Sequence, residues 1–294
     1  MTALLATIFT LGFAAQVIKI AVPYALAAMG GAITEKSGVI DLALEAKLLF
    51  GAFTAAAIGH ATGSAVLGLA GGIAAGMIVA AVQAGCALGF GANQVIVGVA
   101  LNTLGLAGTR FLLQLVFGEG SNSPPCPAYG SEVVRNPFVW LTVIATAAVP
   151  LALRRTRWGV RLRAAGDRPD ALVAVGASPT RARLAAALVG GALAGAGGAQ
   201  LSLAVGGFVA DMSAGRGYIA LAAVIFGNWR PFGAFAAALL FGGSTALSFR
   251  LQQPWPAPSV LFQALPYVLT LIAVAGVIGR SVPPAAAGRP YVKQ

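Results

Sequence analysis

Apolar stretches of bilayer-crossing length follow one another along almost the whole chain, separated by short polar or glycine-rich loops such as "GHATGS", "GFGANQ" and "GEGSNSPPCPAYGSEVVRNP". A hydrocarbon core of about 30 Å takes about 20 apolar residues to cross as a helix, which satisfies its own backbone polar groups. At 58% hydrophobic and 9% charged residues, with a mean hydropathy of +0.86, the 294 residues are far too apolar for a soluble domain. The expected fold is an all-α polytopic membrane protein, one transmembrane domain over 1–294. Its 39 glycines lie within the apolar runs as well as in loops. Gly68, Gly72 and Gly76, and again Gly191 and Gly195, recur at four-residue spacing, the pattern by which membrane helices approach backbone to backbone.

The net charge of +11 is distributed as a topology signal rather than as a nucleic-acid surface. Eight arginines fall between Arg154 and Arg183 against only Asp167 and Asp170, so the loop 154–183 is expected on the cytoplasmic side. Counting outward from it, the loop 118–137 falls outside, "GFGANQ" inside and "GHATGS" outside. Two short spans, Ala3 to Ile18 and Ile20 to Ile33, hinged near Lys19 and Pro23, are expected before Thr34. The apolar N-terminus lacks a basic leader and is expected to be a retained first span. Downstream, Leu184 to Val205, Tyr218 to Gly227, Pro231 to Phe249 and Val260 to Gly279 complete about ten segments. Both termini are then cytoplasmic, and the tail 280–294 with Arg280, Arg289 and Lys293 is basic accordingly.

Two of these segments look interrupted. "TEKSG" stops a helix that "VIDLALE" resumes, and Tyr218 to Gly227 is too short to cross alone. Irregular backbone at membrane depth survives only where protein buries it or where it lines a cavity, so a pair of interruptions, one in each half, points to a transport pathway.

No enzymatic constellation is present. The chain lacks G-x-S-x-G, H-E-x-x-H, C-x-x-C and a phosphate-binding G-x-x-x-x-G-K-[ST] loop. His60, the only histidine, is read as a solvated residue in an outside turn; Cys86 and Cys126 are poorly placed to pair, and neither has companions for a metal. The pathway candidates are Asp41, Glu45, Asn93, Asn102, Asp211 and Arg216. Intramembrane carboxylates are costly and face cavities or cations. If the backbone is helical from Val39, Asp41 and Glu45 share a face. The structural alternative is mutual ion pairing of Glu35, Lys36, Glu45 and Lys47 at a helix end. Pairing is favoured for Glu35 and Lys36; for Asp41 and Glu45 both readings stay open. Asp211 and Arg216 flank the second interruption, where they pin the loop or contact a polar solute.

Within the basic loop a short helix is expected to begin near Pro169, with Asp167 or Asp170 at its start and an apolar edge of Ala171, Leu172 and Val175. Such a helix can dock into a groove on another protein or rest on lipid headgroups.

Three stretches match a known family. "SGVIDLALEAKLLFGAF", "RAAGDRPDALVAVGASPTRARLAAALVGGALAGAGGAQLSL" and "MSAGRGYIALAAVIFGNWRPFGAFAAALLFGG" resemble, in order, motifs of the inner-membrane permeases of ABC importers. The group is the one for branched-chain amino acids, ribose and nucleosides, and the forms here look most like its nucleoside and simple-sugar branch. The resemblance implies a non-catalytic bacterial inner-membrane subunit. Its implied partners are a cytoplasmic ATP-binding subunit holding ATP-Mg, a second permease copy or homologue, an extracytoplasmic solute-binding protein and membrane lipid. No nucleic acid is expected, nor any cofactor or metal on this chain. It also implies that Ala165 to Ser178 couples to the ATPase, with Gly166, Asp167, Asp170, Ala171, Gly176 and Arg181 the coupling residues. The chain departs from the group in carrying Asp41 where Asn is usual and Ala46 where Gly is usual. The rival expectation is a secondary carrier using Asp41, Glu45 and Asp211 as proton or ion sites; branched-chain amino acid is the alternative solute.

Overall fold

The structure is a computed structural model that describes residues 10–130, 132–251, 264, 268 and 282–289. Ten α-helices build the described bundle: α1 (Leu11–Lys36), α2 (Leu44–Thr62), α3 (Ala65–Ala84, continued by a wider π turn Gly85–Gly89), α4 (Gln94–Phe117), α5 (Pro137–Arg155), α6 (Arg157–Asp167), α7 (Pro169–Ala174), α8 (Pro179–Val205), α9 (Arg216–Phe226) and α10 (Pro231–Leu251). Among the described residues, six helices are long and apolar enough to cross a membrane: α1, α3 with its π turn, α4, α5, α8 and α10. The expected final span at Val260 to Gly279 lies almost wholly outside the described residues.

The N-terminal expectation is corrected. From Thr10, whose hydroxyl caps the first turn, one unbroken helix runs through Lys19 and Pro23 to Lys36. A proline removes one intrahelical hydrogen bond, yet a helix packed on neighbours along its length tolerates that loss, because adjacent groups re-satisfy the freed backbone. Here α1 is the buried spine from Ala21 to Glu35, packed on α8, α10, α9 and α5. It starts beside the far end of α10, where Arg250 lies over the Phe13 ring.

The glycine stripes do what their spacing predicts. α2, α3 and α8 meet through Gly51, Gly72, Gly76, Gly191 and Gly195, and a Cβ placed on Gly76 would enter the Gly191 carbonyl. Close backbone approach of this kind replaces the hydrophobic drive that lipid cannot supply.

The loops sort into two ends. At the basic end stand Lys36, the ends of α5 and α10 facing it, α6, α7 and residues 282–289. Arg183, fully buried, ties them together by donating to the carbonyls of Ser37 (3.1 Å), Ala165 (3.1 Å) and Arg289 (2.9 Å). The opposite end is an interlock of the 118–136 loop with the last turn of α8 and the residues after it. The amides of Ser123, Cys126 and Tyr129 donate to the carbonyls of Phe208, Gly206 and Leu203, and Ala210 N–H donates to the Ser121 carbonyl. His60 joins this end, its Nδ1 2.9 Å from the Pro125 carbonyl, and both cysteines are free thiols.

Candidate functional site

Both expected interruptions are present, and they meet. α1 stops at Ser37, where Gly38 takes a positive φ of 96°, and the chain runs without helix to Leu44. Seven residues of non-helical backbone inside a bundle need partners, and three amide side chains supply them. Gln94 Oε1 accepts from Ile40 N–H (2.7 Å) and Gln83 Nε2 donates to the Ile40 carbonyl (3.0 Å). Asn102 Nδ2 donates to the Leu42 carbonyl (2.8 Å), while its Oδ1 accepts from Ala46 N–H (3.0 Å). The same Nδ2 also reaches the Tyr218 hydroxyl at 3.2 Å, which links α4 to α9.

The carboxylates divide the remaining tasks. Asp41 lies in the break rather than on a helix, so it does not share a helix face with Glu45. It pairs instead with Lys47, Nζ to Oδ1 at 2.5 Å, both side chains fully buried. This corrects the pairing expected of the charged stretch: Lys47 serves Asp41, and Glu35 turns away from Lys36. Glu35 accepts from the Trp229 indole N–H (2.5 Å) and from Asp41 N–H (3.3 Å). A buried ion pair is weakly stabilising or neutral as a whole, but losing one member leaves a charge stranded in low dielectric.

Glu45 makes the junction between the two breaks. Its Oε1 accepts from the Ser213 hydroxyl (2.5 Å) and Gly215 N–H (2.8 Å), and its Oε2 from Gly217 N–H (2.6 Å). These donors surround the start of α9, an 11-residue half-helix with no cap from its own sequence. A carboxylate there satisfies orphan amides and complements the positive end of the helix dipole. Gly217 has to be glycine, because a Cβ would collide with the Glu45 backbone.

Of the sequence candidates, Asp41, Glu45 and Asn102 come together, with Arg216 beside them in the first turn of α9. Arg216 pins the loop, as one reading held, though through the carbonyls of Met212 (2.6 Å) and Ser213 (3.2 Å) rather than through Asp211. Asp211 stands apart at φ 61° in the descending loop, and Asn93 caps α4 by accepting from Val95 and Ile96 N–H. Gln83, Gln94, Ser213, Tyr218 and Trp229 belong to the network and were not anticipated, and Lys47, expected as an ion-pairing residue, joins it through Asp41. Gln83 and Gln94 carried a usable signal, since an amide at the end of an apolar span is itself a polar group needing a partner.

At the basic end the short helix forms as α7, with Asp170 in its first turn and Gly176 at φ 75° closing it. Its apolar edge differs from the expected one. Leu172 turns inward, 4% exposed, and roots the helix, whereas Val175 is 77% exposed. Asp167, Asp170, Ala171, Gly176 and Arg181 are exposed. Gly166 is buried; its carbonyl accepts from Ala286 N–H (2.8 Å), and a Cβ there would strike the Lys36 carbonyl. The Arg181 amide donates to the Ser178 hydroxyl that caps α8.

Residues 13–274 match the family model described as branched-chain amino acid transport system, permease component. The chain is 33% identical over 299 residues to the guanosine ABC transporter permease protein NupQ of Bacillus subtilis, covering 93% of this chain and 94% of the relative. It is 30% identical over 304 residues to the nucleoside ABC transporter permease protein NupC of Lactococcus lactis, covering 95% and 96%. A third relative, TsgC13 of Haloferax volcanii, is an ABC transporter permease protein provisionally named for glucose; it is 35% identical over 264 residues, covering 83% and 79%. No solved structure gives a significant match.

Proposed function

The chain belongs to the permease-component family of the branched-chain amino acid transport systems, whose members are non-catalytic subunits of ABC transporters, and from this we propose that it imports a nucleoside or a simple sugar. The observation that carries the solute class is the near full-length likeness to two relatives named for guanosine and for nucleosides. In this reading the protein lies in a bacterial cytoplasmic membrane with its basic end and C-terminal tail inside. It pairs with a second permease, receives solute from an external binding protein and is driven by a cytoplasmic ATPase that holds ATP-Mg.

The coupling element is α7 with its exposed flanks, Asp167, Asp170, Ala171, Gly176 and Arg181, seated in a groove of the ATPase. Movement of α7 reaches the bundle through α6, which packs on α5 and α8. From Ala165 it passes through Arg183 to Ser37, the first residue of the break. The break then bears on α9 through Glu45. A drive of this kind requires that the two states of the permease differ in their contacts with the ATPase. Asp41 and Glu45 brace the interrupted helices in this scheme, and Asn93, Asp211 and Arg216, at the margins of the buried network, remain the pathway candidates.

The test is uptake of labelled guanosine and of glucose by cells carrying the complete transporter, together with cross-linking from single cysteines placed at Asp170 and Ala171. Guanosine uptake that vanishes without the ATPase, with the ATPase captured by both cysteines, is the expected result. Uptake abolished by a proton uncoupler but indifferent to ATPase deletion would sink the importer reading.

A further inference from the structure

Four cations from four separate elements converge on one cavity of about 600 Å³ at the basic end: Lys36 from the end of α1, Arg154 from α5, Arg163 from α6 and Arg230 from the turn before α10. Among the described residues none of the four makes an ion pair, and the Nε of Arg163 is buried without a hydrogen-bond partner. Lys36 feels the opposing charge of Asp167 and the like charges of Arg163, Arg230 and Arg154. Glu35 does not relieve it, because its carboxylate is committed to the Trp229 indole. One carboxylate does not offset four like charges, which repel unless a further anion sits among them.

The turn that presents Arg230 holds strained backbone. Asn228 and Trp229 both hold left-handed backbone, at φ 51° and 53°. Non-glycine residues pay strain in that region and keep it only where surrounding contacts over-determine it. Here the Trp229 indole is locked by Glu35, and Asn228 Oδ1 accepts from Val282 N–H (3.1 Å).

The cavity is also two-faced. Phe226 and Phe232 also line it, and Phe232, in the first turn of the apolar, membrane-length helix α10, is 65% exposed. A cationic pocket opening on an apolar, membrane-level wall matches a phosphodiester headgroup with its acyl chains alongside. We propose that this cavity is an anion site taking the phosphate of an anionic phospholipid, with the four cations as its ligands.

The test uses the purified full-length chain and native mass spectrometry with phosphatidylglycerol, phosphatidylcholine or inorganic phosphate added separately. The variants are Arg163→Gln with Arg230→Gln, the single exposed-site change Arg230→Gln, and the charge-keeping Arg230→Lys; Arg135→Gln at the opposite end is the control. Retention of phosphatidylglycerol over phosphatidylcholine is expected in the wild type, the control and Arg230→Lys. It should fall roughly tenfold or more in the double variant, or several-fold in the single one if the double variant does not fold. Retention of inorganic phosphate with the same variant dependence supports the site and identifies a free anion as a second source of the ligand. Equal retention of both lipids, or phosphatidylglycerol binding indifferent to Arg230→Gln and to the double change, overturns the proposal.

Discussion

The two interruptions of the bundle solve one problem by different means. Between α1 and α2 the chain is almost wholly buried, and its backbone is held by side chains from distant helices: Gln83, Gln94 and Asn102, with Asp41 and Lys47 paired inside. Between α8 and α9 the chain is mostly part-exposed and is held backbone to backbone against the 118–136 loop. The first break is therefore specified residue by residue, and changing one side chain strands another group. The second is held mainly by backbone rungs, with few side chains involved beyond the Ser123 hydroxyl and the carboxylate of Glu45 at its inner end, although Gly206 and Gly215 hold left-handed backbone. It follows that substitutions should be far costlier in the first break than in the second.

The sharpest way to break that contrast is Lys47→Met. Losing the ammonium leaves Asp41 charged and buried, which costs about 3–5 kcal/mol. Scanning fluorimetry of the purified protein should show a large fall in melting temperature, and adding Asp41→Asn should restore most of it. A single variant as stable as the wild type would mean that the pair does not hold the break. Next in size is Glu45→Gln, which weakens three charge-assisted hydrogen bonds at the start of α9 and should cost about 2–3 kcal/mol. Hydrogen exchange should rise at the amides of Gly215 and Gly217, while those of Ser123 and Cys126 stay protected. Equal deprotection at both places would erase the distinction between the two breaks. Asn102→Ala leaves the Leu42 carbonyl and the Ala46 amide without partners, for about 1–3 kcal/mol, and should raise exchange at Ala46 without touching Gly215.

Much of this arrangement was legible in the residues. The glycine spacing gave close helix packing along 68–76 and 191–195, although not that these stripes meet each other and Gly51 of α2. Both breaks and the short helix after Pro169 were legible from local chemistry, a charged interruption in one case and insufficient length in the other. What was not legible depended on contacts far apart in sequence. Trp229 lies 194 residues from Glu35, and Arg183 lies 146 from Ser37. Arg183 read as one positive charge among eight, since nothing local distinguishes a buried guanidinium from a solvated one. Pro23 read as a hinge because propensity assigns it a break, whereas the buried packing of α1 overrides that preference. Asp41 and Glu45 share a face only if the backbone is helical from Val39, and that condition fails because the helix starts at Leu44 and the break includes Asp41.

The smallest effect tests the tolerant side of the comparison. Ser123 both accepts from Phe208 N–H through its hydroxyl (2.8 Å) and donates its own amide to the Phe208 carbonyl (2.8 Å). Ser123→Ala removes only the first of these. The neighbouring rungs from Cys126 to Gly206 and from Ala210 to Ser121 survive, so although the freed amide belongs to the buried Phe208, the segment stays tied to the loop on both sides of it. The cost should be about 1 kcal/mol, read as a small shift in melting temperature with Gly217 exchange unchanged. A loss as large as that of Lys47→Met would show that the outer interlock is as finely specified as the inner break. The 206–215 segment would then have to be treated as a second keyed element, and its descent into the bundle would depend on the loop as much as on Glu45.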